Sequence, residues 1–113
     1  SRRVLCCLYE KDTGMDERDY TRYADLFKCL AHERRLKILE IVKQKSPCVS
    51  TMQELLHLPQ ANISQHLAKL RRQGIVSRKR IGKKTCYQIK NPLAEIILEA
   101  VQRYHHQNKG EEI

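Results

Sequence analysis

The chain has 113 residues, of which 41% are hydrophobic and 5% aromatic, enough for one compact domain with a modest core. It carries 22 Lys and Arg against 13 Asp and Glu, a formal charge of +9, and no apolar run approaches the roughly 18 residues of a membrane-spanning helix. The five cysteines are odd in number and scattered, which argues against a disulfide framework and for reduced thiols.

Taken in order, residues 1–14 show no clear period and contain the vicinal pair Cys6-Cys7. They read as a flexible arm, with Met15 as an alternative translation start. Val4 to Leu8 is too short for the apolar part of a signal peptide, so the expected compartment is the cytoplasm. The folded domain is expected over residues 15–107, with a polar tail over 108–113.

Asp16 to Ala31 reads as a helix. Tyr20, Tyr23, Ala24, Phe27, Leu30 and Ala31 share one face. Asp16, Glu17 and Asp19 at its start suit the helix dipole. Glu33 to Gln44 is the next helix. Leu36, Ile38, Leu39, Ile41 and Val42 are apolar on more than one side, so this helix is expected at the centre. Arg34 and Arg35 near its start read as surface or phosphate-facing residues, with the solvated reading favoured. Lys45 to Ser50 is a loop containing Pro47 and Cys48.

Thr51 to Leu56 reads as a short helix and His57-Leu58-Pro59 as a tight turn. A longer helix opens near Pro59 and closes at Gly74, since Pro suits a first helical position and Gly the residue past the end. Ile63, Leu67 and Leu70 form its apolar stripe. Its opposite face carries Ala61, Asn62, Gln65, Ala68, Lys69 and Arg72, and Gln60, Ser64 and His66 are counted with it as candidate DNA contacts. Such a face is either merely solvated or a reading surface, with amides for base edges and cations for phosphates.

The flanks favour the second reading. Short helix, three-residue turn and longer helix form a helix-turn-helix pattern. Ile75 to Ile81 and Thr85 to Ile89 read as strands joined by Gly82-Lys83-Lys84, a basic hairpin. Arg78, Arg80, Lys83 and Lys84 are its expected contacts to phosphates or the minor groove. From Leu55 to Ala94 there is no Asp or Glu, while nine cations fall in that span, so the whole charge excess sits there. That is a nucleic-acid footprint. The expected fold is mainly α with a β-hairpin wing, a winged helix-turn-helix, and the expected partner is double-stranded DNA.

Asn91 caps a last helix with Pro92 at its first position. Leu93, Ile96, Ile97, Ala100, Val101 and Tyr104 form a stripe that covers either its own core or the same stripe of a second copy. His105-His106 onward is expected to fray. No phosphate loop, nucleophile elbow or His-Glu metal motif is present, and no enzyme is expected.

Three segments carry a resemblance to a known family: Leu26-Phe27-Lys28-Cys29-Leu30-Ala31-His32-Glu33-Arg34-Arg35-Leu36-Lys37-Ile38-Leu39, Gln60-Ala61-Asn62-Ile63-Ser64-Gln65-His66-Leu67, and Leu70-Arg71-Arg72-Gln73-Gly74-Ile75-Val76. From Tyr23 to Val101 the chain resembles the ArsR/SmtB family of bacterial winged-helix repressors. Pro59 departs from the Ser often found before the recognition-helix Gln. The resemblance implies a repressor that leaves its operator on a soft-ion or thiol-redox signal. It also implies a homodimer through the first and last helices, with Tyr20, Tyr23, Phe27, Leu93, Ile97, Ala100, Val101 and Tyr104 at the interface.

The family's thiol pair would fall on Thr51 and Gln53, and its last-helix zinc site on Asn91, Leu93, Tyr104 and Gln107; neither ligand set is present. Members that use N-terminal thiols with a thiol near this loop suggest Cys6, Cys7 and Cys48 as a site for As(III), Cd(II) or Zn(II). The alternative is a redox switch on the same residues, or no sensor. Cys29 is expected to pack as a small hydrophobe, and Cys86 has no assigned role. The rival to DNA binding is a winged-helix protein-interaction module.

Overall fold

The computed structural model describes residues 13–109. Among the described residues five helices and one hairpin follow in order: α1 (Glu17–Leu30), α2 (Glu33–Lys45), α3 (Val49–Leu56), α4 (Gln60–Arg72), β1 (Val76–Ile81), β2 (Lys84–Ile89) and α5 (Pro92–Gln107).

Three of the helices, α1, α2 and α5, begin where a side chain takes over an orphan backbone donor. Asp16 caps α1 by accepting from the Asp19 N–H at 3.0 Å, and Asp19 accepts in return from the Asp16 N–H at 3.1 Å, a capping box. His32 caps α2 through Nδ1, which accepts from the Arg34 N–H at 3.1 Å. Asn91 caps α5 by accepting from the Leu93 N–H at 2.9 Å, with Pro92 in the first turn as expected. Pro59 sits one place earlier than the sequence suggests: it is the cap of α4, in extended backbone, and Gln60 is the first helical residue. The α3 helix starts at Val49, two residues before the expected Thr51.

The core is built on α2 and α4. Ile38, Leu39 and Val42 meet Ile63, Leu67 and Leu70, with Met52 of α3 and Ile75, Val76 and Tyr87 of the hairpin closing over them. Each such aliphatic side chain, fully buried, contributes about 1.5–3 kcal/mol. α2 is therefore central, but Leu36 is exposed and does not join the core. α1 contributes Leu26, Cys29 and Leu30, and α5 contributes Ala94 and Leu98.

That last set differs from the stripes read in the sequence, for a simple reason. α1 and α5 are each apolar on more than one side. Leu26-Cys29-Leu30 and Ala94-Leu98 take the core. Phe27 on α1 stays 53% exposed, and Val101 and Tyr104 on α5 each stay 57% exposed. Tyr20, Ala24, Ile96 and Ala100 are also exposed, and Tyr23, Leu93 and Ile97 are half-buried. α5 continues to Gln107, so His105 and His106 are helical rather than frayed.

The hairpin pairs Val76 with Ile89 and Ile81 with Lys84, leaving a two-residue turn of Gly82 and Lys83. Gly82 has φ +63° while Lys83 keeps an ordinary negative φ, the pattern of a II′ turn with glycine at its first central position. β2 has a second neighbour. The Tyr87 N–H donates to the Pro47 carbonyl at 3.0 Å, and Cys48 and Cys86 face one another as an antiparallel bridge. The loop before α3 thus forms a one-residue third strand.

A candidate nucleic-acid interface

The helix-turn-helix is made by α3 and α4. His57 ends α3 in the left-handed region, φ 55°, and its N–H donates to the Gln53 carbonyl at 2.9 Å. Leu58 and Pro59 complete the turn, and the first two donors of the next turn, the N–H groups of Asn62 and Ile63, bond the Pro59 carbonyl.

Burial of Ile63, Leu67 and Leu70 fixes which way α4 faces. At 100° per residue Ala61, Gln65, Lys69 and Arg72 fall opposite them, with Gln60 and Ser64 on one flank, and all six are exposed. This face carries amides, a hydroxyl and cations, the groups that pair with base edges and phosphates. Ala61 keeps its centre low, so the helix backbone can come close to another surface.

Two of the expected reading residues are placed otherwise. His66 is only 8% exposed. It lies on the flank of the wheel next to Leu70, and its Nδ1 accepts from Arg35 Nε at 3.2 Å. Its ring meets the His32 ring edge-on, with centroids 4.6 Å apart. The ring is held against α2 and does not join the outer face. Asn62, one turn earlier on the same flank, is half-buried, and its Oδ1 is buried with no hydrogen-bond partner among the described residues.

Arg35 is likewise not the solvated residue expected. Its second donor, Nη1, reaches the Cys29 carbonyl at 3.1 Å, so one guanidinium joins α1, α2 and α4. Burial, then the positive charges of His32, Arg35, Arg34 and Lys69, push the His66 pKa down. A neutral imidazole with a free Nδ1 lone pair is what the Arg35 donor requires. Sequence reading missed this group because no local period links residues 29, 32, 35 and 66.

The wing extends the charged surface. Arg78, Lys79, Arg80, Lys83 and Lys84 are all exposed. In the strand register Arg78 stands opposite Tyr87 and Arg80 opposite Thr85, so both arginines leave the face on which Val76 and Tyr87 are buried. Lys79 leaves the other face, opposite Cys86. Tyr87 is buried at 6% exposure, packed on the domain as the sequence suggests.

The cysteines divide by position. Cys29 is buried in the core, as expected of a packing thiol. Cys6 and Cys7 lie outside the described residues. Cys48 is the N-cap of α3, with Sγ 3.0 Å from Ser50 Oγ and 3.5 Å from Thr51 Oγ1. Those hydroxyls, then the Thr51 N–H, bring its pKa down from the ordinary 9.0 to about 6. Among the described residues no three His, Cys, Asp or Glu side chains come together as a metal site. The positions expected for the family's zinc ligands on α5, Asn91, Leu93, Tyr104 and Gln107, offer no such set either.

Comparison with known proteins agrees with this geometry. The model of the bacterial regulatory protein, arsR family, matches residues 32–78, from the cap of α2 into the wing. The transcriptional repressor PagR of Bacillus anthracis is 42% identical over 77 residues, which are 67% of this chain and 77% of PagR. Its crystal structure superposes with a TM-score of 0.66 over 73% of this chain and 94% of that one. The transcriptional activator HlyU of Vibrio cholerae is 31% identical over 79% of this chain and 82% of its own. The structure of reduced HlyU gives a TM-score of 0.75, covering 79% of this chain and 94% of that one. A homodimeric winged helix-turn-helix DNA-binding domain from Mycobacterium bovis shares the fold, with a TM-score of 0.71 at 24% identity over 89% of this chain and 98% of that one.

Proposed function

Because the chain belongs to the arsR family of bacterial regulatory proteins, and is therefore a DNA-binding transcriptional regulator, we propose that it represses its targets by occupying operator DNA as a homodimer in the cytoplasm. One observation carries the reading. The exposed face of α4 and the wing form one acid-free surface, from Gln60 to Lys84, that holds nearly the whole charge excess.

On this reading Gln60, Ser64 and Gln65 meet base edges in the major groove, where an α-helix fits. Ala61 lets the backbone approach, and Lys69 and Arg72 meet phosphates at the groove edge. Asn62 reaches a base only by turning its amide outward. Arg78, Arg80, Lys83 and Lys84 hold the flanking backbone or enter the minor groove. His66 is reassigned from contact to support, since it holds α4 on α2 through Arg35.

The dimer reading rests on the second apolar surfaces of α1 and α5. A monomer leaves Phe27, Ile96, Val101 and Tyr104 more than half exposed, and a second copy laid against them completes the burial. A dimer also sets two α4 helices at a fixed spacing, which a two-fold operator requires. PagR, the more identical of the two relatives compared above, is a repressor, and repression is the reading adopted here. The proposed release signal is chemistry at a thiol, because Cys48 stands at the first residue of the helix-turn-helix.

Selection of bound duplexes from a genomic fragment pool, followed by affinity measurement across salt, tests the proposal. Enrichment of an inverted repeat and an affinity that falls steeply with salt are expected. A purified protein that enriches no sequence and captures a protein partner instead would overturn it in favour of an interaction module.

A further inference from the structure

Among the described residues, Cys86 is a thiol that neither the core nor the DNA surface uses. It faces Cys48 across an antiparallel bridge. The flanking hydrogen bond, Tyr87 N–H to the Pro47 carbonyl at 3.0 Å, joins the residue after Cys86 to the residue before Cys48. That placement makes Cys48 and Cys86 a non-hydrogen-bonded pair, the type in which Cα atoms lie about 4.5 Å apart and side chains leave on the same side. Disulfides take Cα separations of about 4.4–6.8 Å. Both thiols are free and half-buried, shielded from large molecules but within reach of small ones.

We propose that Cys48 and Cys86 are a thiol–disulfide pair that closes when a hydroperoxide oxidises the protein, and that the closed form holds DNA more weakly. The second half rests on the DNA-binding reading above; the first does not.

Cys48 is the attacking sulfur. Ser50, Thr51 and the start of α3 favour its thiolate, and Lys84 adds a nearby positive charge. The thiolate attacks one peroxide oxygen, the O–O bond breaks, and the departing hydroxide or alkoxide takes up a proton. Cys48 is left as a sulfenic acid. Cys86 then loses its proton, its sulfur attacks the Cys48 sulfur, and hydroxide leaves as water. Two thiols give up two electrons and become one disulfide; the hydroperoxide takes both and becomes water or alcohol plus water.

Closure has a structural cost at the DNA surface. The Cys48 sulfur leaves Ser50 and Thr51, so α3 loses its partner at the first turn. The new bond closes a ring of chain containing α3, α4 and β1, and it fixes the root of the wing to the entry of the helix-turn-helix. A wing and a reading helix that must adjust together on a duplex are then tied at one point.

The test uses the full chain, reduced, with and without hydrogen peroxide. Proteolysis and mass spectrometry should find the Cys48 peptide linked to the Cys86 peptide. Affinity for a duplex selected with the reduced protein should fall by about tenfold, within the usual range of coupling between sites, and return with dithiothreitol. Cys86→Ser should stop at a Cys48 sulfenic acid that dimedone traps. Linkage of Cys48 to Cys6, Cys7 or a second Cys48, or no oxidation of Cys48, overturns the pair. A linked peptide with unchanged affinity overturns the regulatory half. Reduced protein that selects no duplex, yet still yields the linked peptide, overturns the DNA reading and leaves the pair standing.

Discussion

Arg35 Nε donates to Nδ1 of His66 across 3.2 Å, joining the central helix to the inner flank of the reading helix. The same arginine holds the Cys29 carbonyl. A shift of α4 on α2 therefore breaks a charge-assisted bond as well as apolar contacts. His66→Ala leaves the Arg35 donor short of a partner and should cost about 1–3 kcal/mol of folding stability. Urea unfolding should show the loss, while base preference among folded molecules stays as in the parent. A changed base preference would mean that the ring reaches DNA after all.

The same imidazole gives a pH dependence. The folded His66 pKa lies below its ordinary value, chiefly through burial. Between the two values the unfolded chain binds more protons than the folded one, so stability rises with pH there. The contribution is fully present above about 6.5, the unfolded value, and is lost as pH falls below it. Melting temperature should drop on going from pH 7.5 to 5.5, and His66→Gln should drop less over the same range. Equal slopes for the two proteins would remove His66 as the titrating group.

Contacts to bases and to phosphates should separate by mutation. Gln65→Ala should raise the affinity of mismatched sites relative to the selected one, by about 1–3 kcal/mol of lost discrimination. Lys83→Gln should weaken binding to every duplex and reduce the slope of log affinity against log salt by about 1. Fluorescence anisotropy at four salt concentrations distinguishes them. A Lys83 variant that alters preference and leaves the slope alone would mean that the wing tip reads bases.

Much of this surface was legible in the sequence, and the exceptions share a cause. The direction of α4 follows from Ile63, Leu67 and Leu70, three residues within one helix. The hairpin follows from Gly82 between two short β-like runs. His66 sits next to that apolar stripe, and its inward side is chosen by Arg35 and His32, which lie far away in the chain. The Pro47–Cys48 bridge to β2 was equally hidden, because a strand one residue long leaves no alternation to detect. On α1 and α5 the period was visible, but with two apolar sides available it did not say which would face the core.

The apolar surface of α5 gives a clean test of dimerisation. Val101 is 57% exposed in the single chain, so Val101→Asp meets water in a monomer and costs the fold little. In a dimer seam the same carboxylate is desolvated without a partner, which is strongly unfavourable. Sedimentation should show a folded monomer. A folded dimer at parental strength would move the seam away from α5.

The hairpin turn sets the reach of the wing. Gly82 has φ +63°, where an L side chain costs about 1–2 kcal/mol, although an added Cβ there would meet nothing within 4 Å. Gly82→Val should therefore loosen the tip without disturbing the core. Affinity should fall, and the melting temperature should drop by no more than that turn strain accounts for. Unaltered affinity would show that Lys83 and Lys84 act without a fixed turn.

The bridge between Cys48 and β2 has one more consequence. It occupies the free side of β2 at Cys86, so among the described residues the margin left open along its whole length is that of β1. Open margins of sheets recruit strands from other molecules and seed aggregates. Here that margin carries Arg78, Lys79 and Arg80, and two copies approaching edge to edge would press six cations together. Arg78 and Arg80, proposed above to contact DNA, therefore have a second use with Lys79: keeping the sheet from growing. A protein stripped of all three to abolish binding should cloud at concentrations where the parent stays clear.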